Sequence, residues 1–108
     1  MLYSVYCQDA EDTAALREQH LKEHREYLDA WRDQIFFSGP LQSDDARIAH
    51  GSLFILNVED RGEAERFIHN ETFYKAGIFD NWYYTPGCTP CRGTRNKHML
   101  VTGKRTGF

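Results

Sequence analysis

The run GSLFILNVEDRGEAERFI, residues 51–68, holds two different periodicities back to back. In its first half, Leu53 and Ile55 point one way along an extended chain while Phe54, Leu56 and Val58 point the other. Both faces of such a strand need cover, which a polar-faced edge ribbon would not require. In its second half the period lengthens. Asp60 followed three residues later by Glu63 has the spacing of a capping box, and Ala64, Phe67 and Ile68 then fall on one face of a helix.

Working outward, Leu2 to Cys7 alternates between two largely apolar sets and reads as a strand. Asp9 or Asp12 is placed to cap a helix that runs to about Arg32 or Asp33. Ile35 to Leu41 is a second strand, and Pro40, which lacks a backbone donor, places it at a sheet edge. Gln42 to His50 is a polar loop. Beyond the central run, Glu71 to Ala76 forms a further helical turn stopped by Gly77, and Ile78 to Thr85 is an aromatic-rich fourth strand. The order βαββαβ predicts an α+β fold of the ferredoxin-like sandwich type over residues 1–86. Two helices cover one face of a four-stranded sheet. The other face, to which Phe54, Leu56 and their neighbours are candidates, then needs either a second copy of the chain or the chain's own C-terminal tail, residues 87–108. A partner copy is the preferred cover and would give a homodimer packed through its sheet faces.

With 108 residues and a net charge of −3 spread over both signs, the chain shows no footprint for nucleic acid or an anionic membrane. No stretch approaches the ~20 apolar residues that span a bilayer, so the expectation is a soluble, cytoplasmic protein. Three cysteines fit a reducing compartment rather than a disulfide framework. The tail is basic and carries Cys88-Thr-Pro-Cys91. With His98 nearby this set is one ligand short of a zinc site, so neither metal nor cofactor is expected, and the tail is read as packing across the domain or its partner.

One position in the first helix invites chemistry. Leu21, His24, Leu28, Trp31 and Ile35 share a helical stripe, so a titratable ring is aimed at the core. A core histidine satisfied by a backbone carbonyl is the plainer explanation; a proton acceptor in a cleft is the sharper one.

His24-Arg-Glu-Tyr-Leu28, Ser38-Gly39-Pro40-Leu41, Gly51-Ser52-Leu53 and Phe73-Tyr74-Lys75-Ala76-Gly77-Ile78-Phe79, in this order, resemble the YciI-like (YCII-related) family over about residues 1–86. The resemblance implies a dimeric α+β barrel and an acid–base site built on a histidine and an acid. The histidine falls on His24, with His20 as its rival one turn earlier. The acid falls on Glu71, in Glu71-Thr72-Phe73 where an Asp-Pro-aromatic element is usual, so it carries one extra methylene. Leu21 stands where an arginine is common. Tyr27, Ser38, Gly39, Pro40 and Ser52 are the candidate substrate contacts. The implied activity is an isomerase or lyase, dehydrochlorinase-like, acting on a small aromatic or enolisable metabolite. A non-catalytic ligand-binding module, or a zinc-stabilised accessory protein, are the competing classes.

Overall fold

A computed structural model describes residues 1–87. The Cys88/Cys91 pair and the expected packing of the tail lie outside the described residues. The elements are β1 (Leu2–Asp9), α1 (Ala14–Ala30), β2 (Ile35–Gln42), β3 (Ala49–Asn57), α2 (Arg61–His69), α3 (Thr72–Lys75) and β4 (Phe79–Pro86). The strands form one sheet in the order β2-β3-β1-β4 with every neighbouring pair antiparallel. This is the ferredoxin-like arrangement, and it leaves β2, with Pro40, on an edge. No helix among the described residues is long and apolar enough to cross a membrane.

The Asp60 cap of α2 forms as its spacing demands, and the return bond from Glu63 falls one residue before the N-cap. Asp60 Oδ1 accepts from the Glu63 backbone N–H at 2.9 Å, while Glu63 Oε1 reaches back to the N–H of Glu59, also at 2.9 Å. The helix then buries Ala64, Phe67 and Ile68. The first helix begins differently from the expectation. Its N-cap is Thr13, whose hydroxyl turns away to the Ala10 carbonyl, and neither Asp9 nor Asp12 caps it. Asp9 ends β1 with its carboxylate taken by Arg17, and Asp12 sits in the left-handed region at φ 59°. The helix also stops earlier, at Ala30, and closes in a tight turn through Trp31.

A second correction concerns the two faces of the sheet. Phe54 and Leu56 lie on the helix-covered face, packed in one core with Val5, Cys7, Phe67, Ile68 and Phe73. Phe54 meets the Phe67 ring edge-on at 5.1 Å between centroids. Strand parity therefore puts Leu53 and Ile55 on the opposite face, where Leu53 pairs with Tyr6 and Tyr6 with Tyr83. Tyr6 and Tyr83 are 40% and 54% exposed, so it is this face that lacks a helix.

Candidate active site

The site lies where α1 stands over β2 and β3. No residue of α1 is fully buried, and the space beneath it is a cleft of about 270 Å³ lined by Arg17, His24, Ser38, Ser52, Phe54 and Phe73 among others. The walls come from the sequence in a simple way. Arg17, His24 and Leu28 descend from one face of α1, Ser38, Gly39 and Pro40 are the edge strand, and Ser52 and Phe54 rise from β3. Gly51 lets the strands close up here, because a side chain at that position would collide with the Cys7 carbonyl oxygen.

His24 Nδ1 lies 2.7 Å from Glu71 Oε2, and its ring stacks on Phe73 with centroids 3.9 Å apart and planes 3° from parallel. Glu71 is fully buried. It is also the N-cap of α3, where Oε2 accepts the Phe73 backbone N–H at 3.0 Å. One short helix start thus fixes both the carboxylate and the ring on which the imidazole rests. In a neutral ring that donates to this carboxylate, Nδ1 carries the proton and Nε2 is the acceptor. Nε2 has no hydrogen-bond partner among the described residues, and it belongs to a side chain that is part of the cleft wall.

Glu71 Oε1 is buried without a hydrogen-bond partner among the described residues. Its charge is felt nearby: burial and then Glu71 push the Cys7 thiol up, and the same two causes raise the Tyr27 hydroxyl from 10.0 to about 12. Cys7 is a buried thiol kept in its neutral form, so it is no nucleophile here.

The expected site residues divide as follows. His24, Ser38, Gly39, Pro40 and Ser52 meet in the cleft, with Glu71 directly behind His24. Tyr27 does not. Its hydroxyl donates to the Phe67 carbonyl at 2.7 Å, tying α1 to α2, so it is a structural bond rather than a substrate contact. His20 faces a separate groove with Glu23, Thr72 and Lys75, and His24 is the histidine of the cleft beneath α1. Arg17, Arg25 and Phe73 are cleft residues that sequence reasoning did not put forward for the site. For Arg17 a signal existed: it is two turns before His24 on the same helix face.

A family model, the YCII-related domain, matches residues 1–86. The chain belongs to the YCII-related family. Among solved structures, this member is similar to 5-chloro-2-hydroxyhydroquinone dehydrochlorinase from Burkholderia phenoliruptrix AC1100, determined in complex with 2,5-dihydroxybenzoquinone. The identity is 26%, the TM-score 0.77, and the match covers 89% of this chain and 99% of that one. It is also similar to a protein from Pseudomonas aeruginosa at 16% identity and TM-score 0.47, over 78% of this chain and 87% of that one. No curated protein matches the chain.

Proposed function

We propose that this YCII-related protein is an acid–base lyase or isomerase acting on a small hydroxylated aromatic or enolisable ring, with His24 as the base and Glu71 as the group that orients it. The observation that carries this reading is the His24–Glu71 contact at 2.7 Å, which leaves Nε2 as the unbonded nitrogen of a ring lining the cleft. A core histidine held by a backbone carbonyl would lack the buried carboxylate. The cleft volume of about 270 Å³ lies just under the usual range for drug-sized ligands, which suits a single-ring metabolite. Leu21, Leu28 and Pro40, with the edges of Phe54 and Phe73, supply apolar wall for such a ring.

The chemistry follows from proton movement alone. For a chlorinated hydroxyquinol, His24 takes a hydroxyl proton and returns it to the ring carbon that bears chlorine, giving the keto tautomer. Nε2 then takes a second hydroxyl proton; that O–H pair becomes a carbonyl and the C–Cl pair leaves as chloride. The net loss is HCl and the product is a quinone. Stopping after the first transfer is an isomerisation. Positioned acid–base groups of this kind contribute ~10²–10⁴-fold.

The protein acts, in this reading, as a homodimer joined through the open sheet face. Leu53, Ile55, Tyr6 and Tyr83 make that face too apolar to be left wet across its width.

The direct test is chloride release from 5-chloro-2-hydroxyhydroquinone. The expected result is enzyme-dependent release that falls by about 10²–10⁴-fold in His24→Asn, a variant that retains a donor for Glu71. Release at the same rate in His24→Asn, or none from the unaltered protein with this or other halogenated hydroxyquinols, would contradict the proposal.

A further inference from the structure

A second groove, of about 290 Å³, adjoins the cleft along the flank of α1, and Arg25, Leu28 and Ser38 belong to the walls of both. Asp29, Arg32 and Ile35 complete its lining. The helical register sets its direction. Arg17 stands two turns before His24, whereas Leu28 is one turn after it and Asp29 and Arg32 lie where α1 runs into its closing turn. The space beside the imidazole therefore has an outlet toward the C-terminal end of α1 and the start of β2, where Ile35 offers an apolar wall.

The charged groups of this joined space are unequally engaged. Arg17 is committed to the protein itself, by two bonds to Asp9 at 2.6 and 3.0 Å and by others to the Gly51 carbonyl and Ser52 Oγ. Arg32 Nη1 donates to Asp29 Oδ1 at 3.0 Å, so those two charges offset each other on the outer wall. Arg25 has no hydrogen-bond or ion-pair partner among the described residues. It is exposed, as a side chain at a mouth is, and it stands in the wall that the two spaces share. The outer groove is thus left with one positive charge in excess, carried by a guanidinium whose whole fork is unused.

Resting on the acid–base reading above, we propose that the ligand is a hydroxylated ring bearing a carboxylate on a short side arm: the ring lies beside His24, and the arm leaves through the junction to bind Arg25. A planar fork of donors matches a carboxylate edge to edge, which a neutral substituent does not exploit. Leu28 and Ile35 give the stem of the arm apolar contact on the way out. Arg25 touches none of the reacting atoms in this account. It determines which rings the cleft accepts and which edge of the ring is turned toward His24.

The test measures, by calorimetry at low salt, binding of 2,5-dihydroxyphenylacetate and of its uncharged amide, 2,5-dihydroxyphenylacetamide, to the full chain. The carboxylate is expected to bind about fivefold more tightly, the scale of one charge pair at an exposed position, and the ratio should shrink toward one at about 1 M salt. Arg25→Gln should bring the ratio to about one at low salt, and Arg25→Glu should invert it. Arg66→Gln, which removes an exposed positive charge from α2, should leave it unchanged and so separates a local contact from the protein's overall charge. Equal binding of carboxylate and amide, no binding of either, or a preference that survives Arg25→Gln would overturn the proposal. The readout needs no turnover, so the two claims fail separately. Chloride release dependent on His24 without a carboxylate preference would overturn the arm site alone, whereas a preference lost in Arg25→Gln without any chloride release would support the arm site and contradict the chemistry.

Discussion

The two helical flanks of this small sheet are built on different principles. On the α2 and α3 side, Ala64, Phe67, Ile68 and Phe73 are sealed against Val5, Phe54 and Leu56 with essentially no exposed surface. On the α1 side no residue is fully buried, and the helix is held by Arg17–Asp9, by His24–Glu71 and by the Tyr27 hydroxyl. A well-packed apolar seam leaves no room for a ligand, whereas a helix propped on paired polar groups leaves a cleft with donors and an acceptor already in place. Apolar packing in this molecule is concentrated on one flank and the cleft lies on the other.

The largest expected effect on stability comes from breaking the packed flank. Phe67→Ala removes a ring that touches Phe54, Trp31 and Tyr27, and should cost about 3–5 kcal/mol, read as a fall in the denaturation midpoint. A comparable loss from His24→Asn would erase the contrast between the flanks.

The open sheet face sharpens the comparison from the other direction. Ile55→Asp places a charge on the face that no helix covers, and should weaken dimerisation by about 100-fold, or roughly 2.7 kcal/mol, read by light scattering over a dilution series. Because Phe54 and Leu56 point to the core, changes there should instead unfold the protomer. A dimer unaffected by Ile55→Asp would move the interface elsewhere.

The smallest effect is at the joint between the flanks. Tyr27→Phe removes one hydrogen bond, a loss of about 1 kcal/mol at neutral pH. Its pH dependence has a definite sign. The folded-state value is raised from 10.0 to about 12, so between those values the unfolded chain loses the proton first and stability falls as pH rises. The contribution is complete below about pH 10. Tyr84, raised likewise to about 12, adds to the same alkaline fall, so Tyr27→Phe should flatten the melting temperature between pH 10 and 12 without levelling it.

Much of this was legible in the residues. The shift of period at Asp60, the Gly77 stop and the edge proline each rest on local backbone chemistry, and the structure places them as that chemistry requires. The His24 stripe was equally local. What sequence could not settle was the direction of strand faces: the alternation of Leu53 to Val58 is apolar both ways, and only the helices' position decides that Phe54 and Leu56 are covered. The start of α1 misled for a related reason. Asp9 is a good cap by type, but a long-range partner, Arg17, competes for its carboxylate. Tyr27 sits one helical step round from the cleft, a rotation that periodicity alone does not resolve.

The central claim is that Glu71 holds His24 with its proton on Nδ1 and a bare Nε2 presented to the cleft. Nitrogen-15 NMR of the His24 ring in the neutral form tests it directly. The account predicts the Nδ1–H tautomer in the unaltered protein and a mixed or reversed tautomer in Glu71→Gln, whose amide no longer requires a donor. A protein in which Nε2 carries the proton, or in which Glu71→Gln leaves the ring unchanged, would contradict it.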